Sequence, residues 1–541
     1  MPSLYPHEVR KIAQGAGAAS GFAGFFFPSL RARGLGEEKP VPPYSAIIYK
    51  EGDEVRAEDW KGRRIASGEA GVDDASVIQS AIDSLYCGKV FILSGTYNIY
   101  SPISISKSGI TIEGERNGYD CGTNLYIADN TISDVIQVFG SSSSGSDRVR
   151  GTRIAHLAIY GNYANRGNVN MIHLKYTEVT RIEDLNLQYT DGNGILVESE
   201  WDGPFIRDCR IASCGSATNS ASGIYIKDAG SVVDKLLQTN HVKISNIIFG
   251  QAEGYRAITI EGGVQDVLVE NINVEGCGGD YCFYLNNIIS PIVFNNIGVY
   301  NVESGGFYLR NTRGLGRGDY QINNYFFAGH SYAVYFHEAA NGRLFLSNSA
   351  LRASHGRVLH INFPYAYISN CAIYLYGDVD DYAAWLGGGG KEISNCEFRS
   401  DSSYDKAALI LGNGEYSLSN VRISGRYLTV GDATLHLNNV IGTAKYWGNV
   451  TIASDDGSAN NLGYVIKNSG TATFSGDGTT IQFSIAHGLV SEPSKVQVTP
   501  MTEDAAGDFY VTKDATNIYV NYLSAPPSGS NNVKLSWYAE V

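Results

Sequence analysis

The residues best suited to chemistry recur in seven short segments that share one alternating pattern. These are residues 195–198, 224–227, 258–261, 283–286, 307–310, 334–337 and 359–362. The first and third residues of each segment are apolar, so in a strand they should face a core while the second and fourth face outward. The second residues are Leu196, Tyr225, Thr259, Tyr284, Tyr308, Tyr335 and His360. The fourth residues are Glu198, Lys227, Glu261, Asn286, Arg310, His337 and Asn362.

These residue types could cleave an acidic polysaccharide by β-elimination. That reaction needs a cation to neutralise a uronate carboxylate, a base to remove the neighbouring C–H proton and an acid for the leaving oxygen. We predict that Lys227 is the base, that Arg256 or Arg310 binds the carboxylate, and that the acid is a tyrosine. Tyr284 is the predicted acid, and His337 is a further catalytic candidate. Because aromatic faces pack on sugar rings and amides bind hydroxyls, the predicted substrate-binding residues are Tyr225, Tyr255, Tyr308, Tyr335 and Asn286.

Two other activities are compatible with the same residues. Glu198 and Glu261 lie two segments apart, about 9.6 Å at about 4.8 Å per strand, near the upper end of the carboxyl separation in inverting glycoside hydrolases. Lys227 lies between them, and a close cation lowers the pKa of a carboxyl group. The same two carboxylates are candidate Ca²⁺ ligands, and no other cofactor is expected. The surface could also bind a glycan without cleaving it, or be an ordinary solvated sheet face.

The elements that must position these residues form a repeat of about 25 residues. An aliphatic-x-Asn tripeptide places asparagine at 246, 271, 296, 324, 348, 370, 395, 420 and 439, with intervals of 25, 25, 28, 24, 22, 25, 25 and 19 residues. Asp184 and Asp208 occupy equivalent earlier positions. This period predicts a parallel β-helix whose corner asparagines stack as a ladder. The 38-residue interval from Asp208 to Asn246 brackets Lys227, and insertions in solenoids often map to a binding face.

An amphipathic segment before the repeat predicts a helix that covers the open end of the coil. Asp73 or Asp74 is placed to cap this helix. Its predicted core-facing residues are Val77, Ile78, Ala81, Ile82 and Leu85. Residues 71–115, from "GVDDASVIQS" to "ITIEGE", resemble the opening of the pectate-lyase-like right-handed β-helix proteins. The resemblance implies this fold and carbohydrate handling, since the superfamily includes polysaccharide lyases, glycoside hydrolases, epimerases and phage tailspike depolymerases.

The sequence divides into four predicted regions. Residues 1–45 form an attachment or leader segment, 46–100 a cap with the first strands, 101–468 the β-helix, and 469–541 a small β-sandwich for carbohydrate contact or trimerisation. The formal net charge of −14 without a basic stripe argues against nucleic acid, and no apolar run reaches membrane-spanning length. We therefore expect an all-β protein that acts on an extracellular or cell-surface polysaccharide, outside the cell or on a virion. A homotrimer is compatible with this architecture.

Overall fold

The described part of the chain is all-β apart from one short α-helix. The computed structural model describes residues 43–118, 121–228, 239–250, 255–288, 291–303, 305–311, 318–339, 342–376, 382–400, 407–425, 427–430, 432–442, 445–447, 450–455 and 465–541. Strands make up 60% and helix 4% of it. The predicted leader or attachment segment lies almost wholly outside the described residues, and so do residues 229–238 of the long interval beside Lys227.

The strands wind into the predicted right-handed parallel β-helix, which has about 12 turns. Each turn, called a rung here, contributes to two long sheets of 24 and 15 strands, which are parallel except where the first three strands of the larger sheet pair antiparallel. Successive rungs are in register, so that Ile172 pairs with Ile195, Ile195 with Ile224 and Ile224 with Ile258. These isoleucines are fully buried, and stacked apolar columns of this kind form the core of the coil.

The strand bounds follow the repeat. The first sheet contains Ala46–Glu51, Glu54–Asp59, Arg64–Glu69, Gly88–Ile92, Gly95–Ile99, Ile110–Gly114, Thr123–Ile127, Arg153–Tyr160, Arg181–Thr190, Phe205–Arg207, Arg210–Cys214, Val242–Gly250, Val267–Glu275, Ile292–Val302, Gly318–Gly329, Gly342–Ser347, Ala350–Ala353, Tyr365–Ser369, Ala372–Leu375, Lys391–Ser394, Glu397–Ser400, Gly414–Ser424, Ala433–Gly442 and Val450–Asp455. The second sheet contains Ile103–Ile105, Asp134–Phe139, Val149–Arg150, Asn170–Glu178, Ile195–Trp201, Ile224–Lys227, Ile258–Glu261, Tyr281–Asn286, Gly305–Asn311, Val334–Ala339, Leu359–Asn362, Ala384–Gly387, Ala407–Leu411, Tyr427–Val430 and Lys445–Trp447.

The predicted asparagine ladder forms the corner that bends the first sheet within each rung. All nine ladder asparagines adopt the left-handed conformation, with φ between 51° and 58°. Asparagine tolerates this region better than other residues with a Cβ. Side-chain amides of the ladder also donate to the rung before, as in Asn271 to Asn246 at 3.0 Å and Asn395 to Asn370 at 3.1 Å. The ladder shifts once, where Asn324 donates to Asn295 after the 28-residue interval.

Helix α1, Asp74–Asp83, packs against the first strands and buries Val77, Ile78, Ala81 and Ile82 as predicted. The predicted capping role of the aspartates is wrong in detail. Asp73 occupies the N-cap position, but its carboxylate accepts the backbone N–H of Glu69 rather than one from the helix. The buried carboxylate of Asp74 instead accepts from Lys50 at 2.8 Å and from the backbone of Asn98 at 2.7 Å. These contacts tie α1 to the coil.

The C-terminal residues form a small antiparallel β-sandwich. One sheet contains Lys467–Gly476, Lys495–Pro500 and Gly529–Glu540, and the other contains Gln482–Ala486, Phe509–Lys513 and Asn517–Tyr522. Their inner faces enclose a core of their own, which includes Phe483, Val520 and Leu535. Short 3-10 helices at Gly145–Asp147 and Glu503–Ala505 complete the described structure. Among the described residues, no helix is both long and apolar enough to cross a membrane.

Candidate functional site

The outward residues of the second sheet include a continuous stack of aromatic rings. We call Tyr284, Tyr308, Tyr335, His360 and Trp385 the ring stack. Successive ring centroids lie 5.0, 5.7, 4.8 and 4.4 Å apart, with interplanar angles of 7°, 20°, 30° and 14°. In-register rungs place equivalent side chains about 4.8 Å apart, which is a stacking distance for rings.

This stacking changes the predicted mode of sugar binding. The rings of Tyr308 and Tyr335 have neighbouring rings on both faces, so they present edges and hydroxyl groups rather than faces to a ligand. The prediction that the second residues all face solvent is also wrong at two positions. Leu196 is only 7% exposed and Thr259 only 2%, and Thr259 shares a 2.7 Å hydrogen bond with Ser222.

Arg256 covers the N-terminal end of the ring stack. Its guanidinium lies 3.8 Å from the ring centroid of Tyr284 and 4.5 Å from that of Tyr255. Nε and Nη2 each donate to a carboxylate oxygen of Asp280 at 2.7 Å, and Nη2 also donates to the Tyr255 hydroxyl at 3.0 Å. Arg256 is therefore held in one orientation, although its charge is already paired with a carboxylate. Arg310 is an exposed cation on the same sheet.

Lys227 and Glu198 form an ion pair of 2.9 Å between adjacent rungs. The same carboxylate is 3.0 Å from Nε2 of His173, and Nδ1 of His173 is 3.0 Å from Asp134. Lys175 lies 3.4 Å from Glu198 as well. Four consecutive rungs thus carry a chain of alternating charges, Asp134–His173–Glu198–Lys227.

The electrostatics of this chain fix the protonation state of its central groups. Hydrogen bonds from His173 and Lys227 hold the pKa of Glu198 far below its usual range, against the opposing effect of burial. Burial alone would lower the pKa of His173, but hydrogen bonds to Asp134 and Glu198 outweigh it and raise that pKa. Glu198 is therefore a permanent carboxylate near neutral pH and is unsuited to act as a general acid.

The tyrosines nearest Lys227 are kept protonated. The Tyr225 hydroxyl donates to Glu261 at 2.5 Å, and burial together with this hydrogen bond raises the pKa of Tyr225. Burial also raises the pKa of Tyr284. A neutral phenol can donate a proton, so these groups have the form that an acid in catalysis requires.

The fourth-residue column is in register as far as Arg310 and then shifts. Glu198 pairs with Lys227, Lys227 with Glu261, Glu261 with Asn286 and Asn286 with Arg310. Arg310 then pairs with Glu338 rather than with His337, because a β-bulge interrupts the next rung. The prediction that His337 continues this column is therefore wrong, and its side chain lies outside the described residues.

The predicted Ca²⁺ site does not fit the residues present. Lys227 stands between Glu198 and Glu261 in the column, Glu198 already accepts from Lys227 and His173, and Glu261 accepts from Tyr225. Within the described part of the chain, no group of three or more His, Cys, Asp or Glu residues is arranged to hold a metal ion.

Asp134, His173 and Lys175 are site residues that the sequence reasoning missed. Residues 172–175, Ile-His-Leu-Lys, repeat the same alternation one rung earlier than the first segment recognised, and they pair in register with residues 195–198. The signal was therefore present, and extending the alternation backward finds it. Asp134 carries no such signal because it lies two residues before the equivalent segment of its rung.

Comparisons with known proteins return similar folds at low sequence identity. No family model and no curated protein matches the chain. Among solved structures, the tailspike protein of Pseudomonas phage LKA1 has 13% identity and a TM-score of 0.46, covering 86% of this chain and 92% of that one. The tailspike of Pseudomonas phage phi297 has 11% identity, a TM-score of 0.43 and the same two coverages. The A-module of the mannuronan C-5 epimerase AlgE4 of Azotobacter vinelandii has 15% identity and a TM-score of 0.41, covering 71% and 95%.

Proposed function

We propose that the protein is a polysaccharide lyase that cleaves a uronate-containing glycan, alginate- or pectate-like, by β-elimination on the outward face of its second sheet. The observation that carries this proposal is a local concentration of cations and protonated phenols. Arg256 and Arg310 are the cations, and Lys227, the proposed base, lies with the phenols of Tyr225 and Tyr284 on neighbouring rungs, in a chain whose formal net charge is −14. An acidic polymer needs such local cations to bind to an acidic protein.

In the proposed reaction Arg256 or Arg310 binds the uronate carboxylate and so acidifies the C5–H bond. The neutral amine of Lys227 takes the C5 proton, and the electron pair of that bond forms the C4–C5 double bond. The C4–O bond breaks, and the phenol of Tyr284 gives its proton to the leaving oxygen.

The hydrolytic alternative places Glu198 and Glu261 on either side of the glycosidic bond. The depressed pKa of Glu198 would allow it to serve only as base or nucleophile, so Glu261 would have to be the acid. Glu261, however, accepts the hydroxyl hydrogen of Tyr225, and Lys227 lies between the two carboxylates, so the residues support elimination more than hydrolysis. A glycan-binding surface without catalysis is the third possibility.

The test is digestion of alginate, polygalacturonate and a neutral glucan, with absorbance of unsaturated uronates and reducing ends measured together. We expect both signals to rise on a uronate polymer, and Lys227→Ala to abolish both. Lys495→Ala, a change at an exposed lysine of the β-sandwich, is the control and should match the parent. Reducing ends without absorbance would establish hydrolysis, and binding with neither signal would establish a recognition surface.

The proposed function also has consequences for the location and the oligomeric state of the protein. A uronate polymer is an extracellular or cell-surface material, so we propose that the protein works outside the cell or on a virion. We further propose a homotrimer, consistent with the tailspike depolymerases in the superfamily that the sequence resembles. Sedimentation equilibrium of the full chain distinguishes a trimer from a monomer.

A further inference from the structure

A second polar pocket lies on the first sheet, whereas the proposed elimination site lies on the second. It has a volume of about 450 Å³ and is lined by residues of three consecutive rungs. Two outward columns form its floor. Arg181 pairs with Phe205 and Phe205 with Lys243 in one column, and Glu183 pairs with Arg207 and Arg207 with Ser245 in the other. A volume of this size is in the range of pockets for small ligands.

Arg207 is held ready for a ligand by Glu183. Its Nε donates to the Glu183 carboxylate at 2.7 Å and its Nη2 lies 2.5 Å from the same carboxylate. Arg153 also contacts Glu183, and although burial opposes the shift, the hydrogen bonds from both arginines keep the pKa of Glu183 low. Nε and Nη2 both contact Oε2 of Glu183, so the two N–H groups of Nη1 are not used in this pairing. A fixed guanidinium loses little freedom when it binds an anion.

The other lining cations are exposed. The guanidinium of Arg181 has no hydrogen bond or ion pair with any side chain among the described residues, and Lys243 makes one longer contact of 3.4 Å with Glu270. The half-buried ring of Phe205 lies between Arg181 and Lys243 in register. The lining therefore combines three cations, one carboxylate that is already neutralised, and one aromatic ring.

We propose that this pocket binds one anionic sugar residue, of the hexuronate type, with the sugar ring on Phe205 and the carboxylate between Arg181, Arg207 and Lys243. The ring of Phe205 can pack against a sugar ring, and the three cations can bind a carboxylate. An inorganic anion would gain no favourable contact from Phe205. The pocket gives the chain a second contact with an acidic polymer. It requires no catalysis at Lys227, so the two proposals can fail separately.

The test measures binding of trigalacturonate to the full chain carrying Lys227→Ala, so that the probe is not cleaved. Arg181→Gln is the test variant, and Arg422→Gln is its matched control, since Arg422 is an exposed arginine of the same sheet outside the pocket. Losing one charge-assisted hydrogen-bonding partner should weaken the pocket's affinity by about tenfold or more. Cellotriose and inorganic phosphate are titrated in parallel as the neutral sugar and the bare anion.

We expect calorimetry to show that Arg181→Gln removes one class of trigalacturonate sites while Arg422→Gln keeps it. Phe205→Leu should weaken trigalacturonate binding but leave phosphate binding unchanged. Identical binding by Arg181→Gln and Arg422→Gln would overturn the proposal, as would equal affinity for cellotriose. Phosphate that binds as tightly as trigalacturonate would reduce the pocket to a general anion site and overturn the sugar assignment. Absence of lyase activity in the parent protein, with Lys227 intact, would count against the proposed function alone.

Discussion

Glu200 should make the stability of the coil fall as the pH rises. Its side chain is fully buried at a corner of the second sheet, where it accepts the backbone N–H of Thr180 at 2.8 Å and contacts the hydroxyls of Thr177 and Thr180. Burial raises the pKa of Glu200 to about 8. The folded chain therefore keeps a proton on this carboxyl at pH values where the unfolded chain has lost it, so stability is complete only below the ordinary carboxyl pKa and decreases up to about pH 8.

The size of the effect follows from the width of this interval. Each pH unit within it corresponds to about 1.4 kcal/mol, so the step from pH 6 to pH 8 should cost the parent protein about 2 kcal/mol through Glu200 alone. That interval also avoids most of the titration of Asp228, whose pKa burial raises to about 6. Arg148 and Glu178 are the other charged groups that act on Glu200.

Glu200→Gln keeps the volume of the side chain and removes the ionisable proton. Its amide can still accept from Thr180, and its NH₂ can donate to the threonine hydroxyls. We expect guanidinium unfolding to show that the stability of the variant relative to the parent increases by about 2 kcal/mol from pH 6 to pH 8. Comparing the two proteins at each pH cancels the contribution of His173, which both carry.

Glu178→Gln is the control, because Glu178 is a partly exposed carboxylate paired with Arg150 at 2.8 Å. This variant removes a negative charge near Arg148 but keeps the buried carboxyl of Glu200, so it distinguishes the effects of these two changes on stability. If Glu200→Gln shows the same decrease in stability from pH 6 to pH 8 as the parent, the reasoning about burial at this corner is wrong.

Four further predictions concern the columns, the ladder and metal dependence. His173→Ala should lower kcat for uronate cleavage at least tenfold and should also lower the unfolding midpoint, because Asp134 and Glu198 lose the partner that lies between them; steady-state kinetics and a thermal melt check both, and an unchanged kcat would remove His173 from the site. Asn395→Ala should be about 2–3 kcal/mol less stable than the parent, because it loses two ladder hydrogen bonds and places alanine at a left-handed φ. Asn395→Gly should lose only the stability that the hydrogen bonds contribute, and equal losses in the two variants would contradict the argument from φ. If the ring stack contacts the polymer through ring edges, Tyr335→Phe should keep polymer affinity within about twofold of the parent, whereas Tyr335→Ala should lower that affinity by more than Tyr335→Phe does. EDTA should leave the rate of cleavage unchanged.

The sequence was most informative where one residue type repeats with one backbone requirement. Ladder positions such as Asn271 and Asn395 require a left-handed φ and an amide that stacks on the next rung. Because asparagine meets both requirements, it recurs in the sequence at intervals of about 25 residues. The buried partners of the alternation, such as Ile224 and Ile226, follow from the two-residue period of a strand. The fold could therefore be predicted before any contact was known.

The candidate site was less accessible because its chemistry depends on contacts between rungs. A sequence shows that Tyr308 and Tyr335 share a column, but not that each ring face is covered by the next ring. Nor does it show that Lys227 pairs with Glu198, since that requires the side-chain torsions of both residues. The bulge at His337 adds one residue within a strand, and no turn residue marks it. The catalytic roles assigned to Lys227, Arg256 and Tyr284 stay predictions.

Because the rungs stack in register, the outward face of the second sheet can change in length only by whole rungs. Residues 371–395 form one complete interval between two ladder asparagines, and they carry one ring of the stack, Trp385. Duplicating such an interval would lengthen every outward column by one position and leave the corner geometry of its neighbours unchanged. A lineage of such coils can therefore match longer or shorter stretches of polymer by gaining or losing rungs, without redesigning a loop.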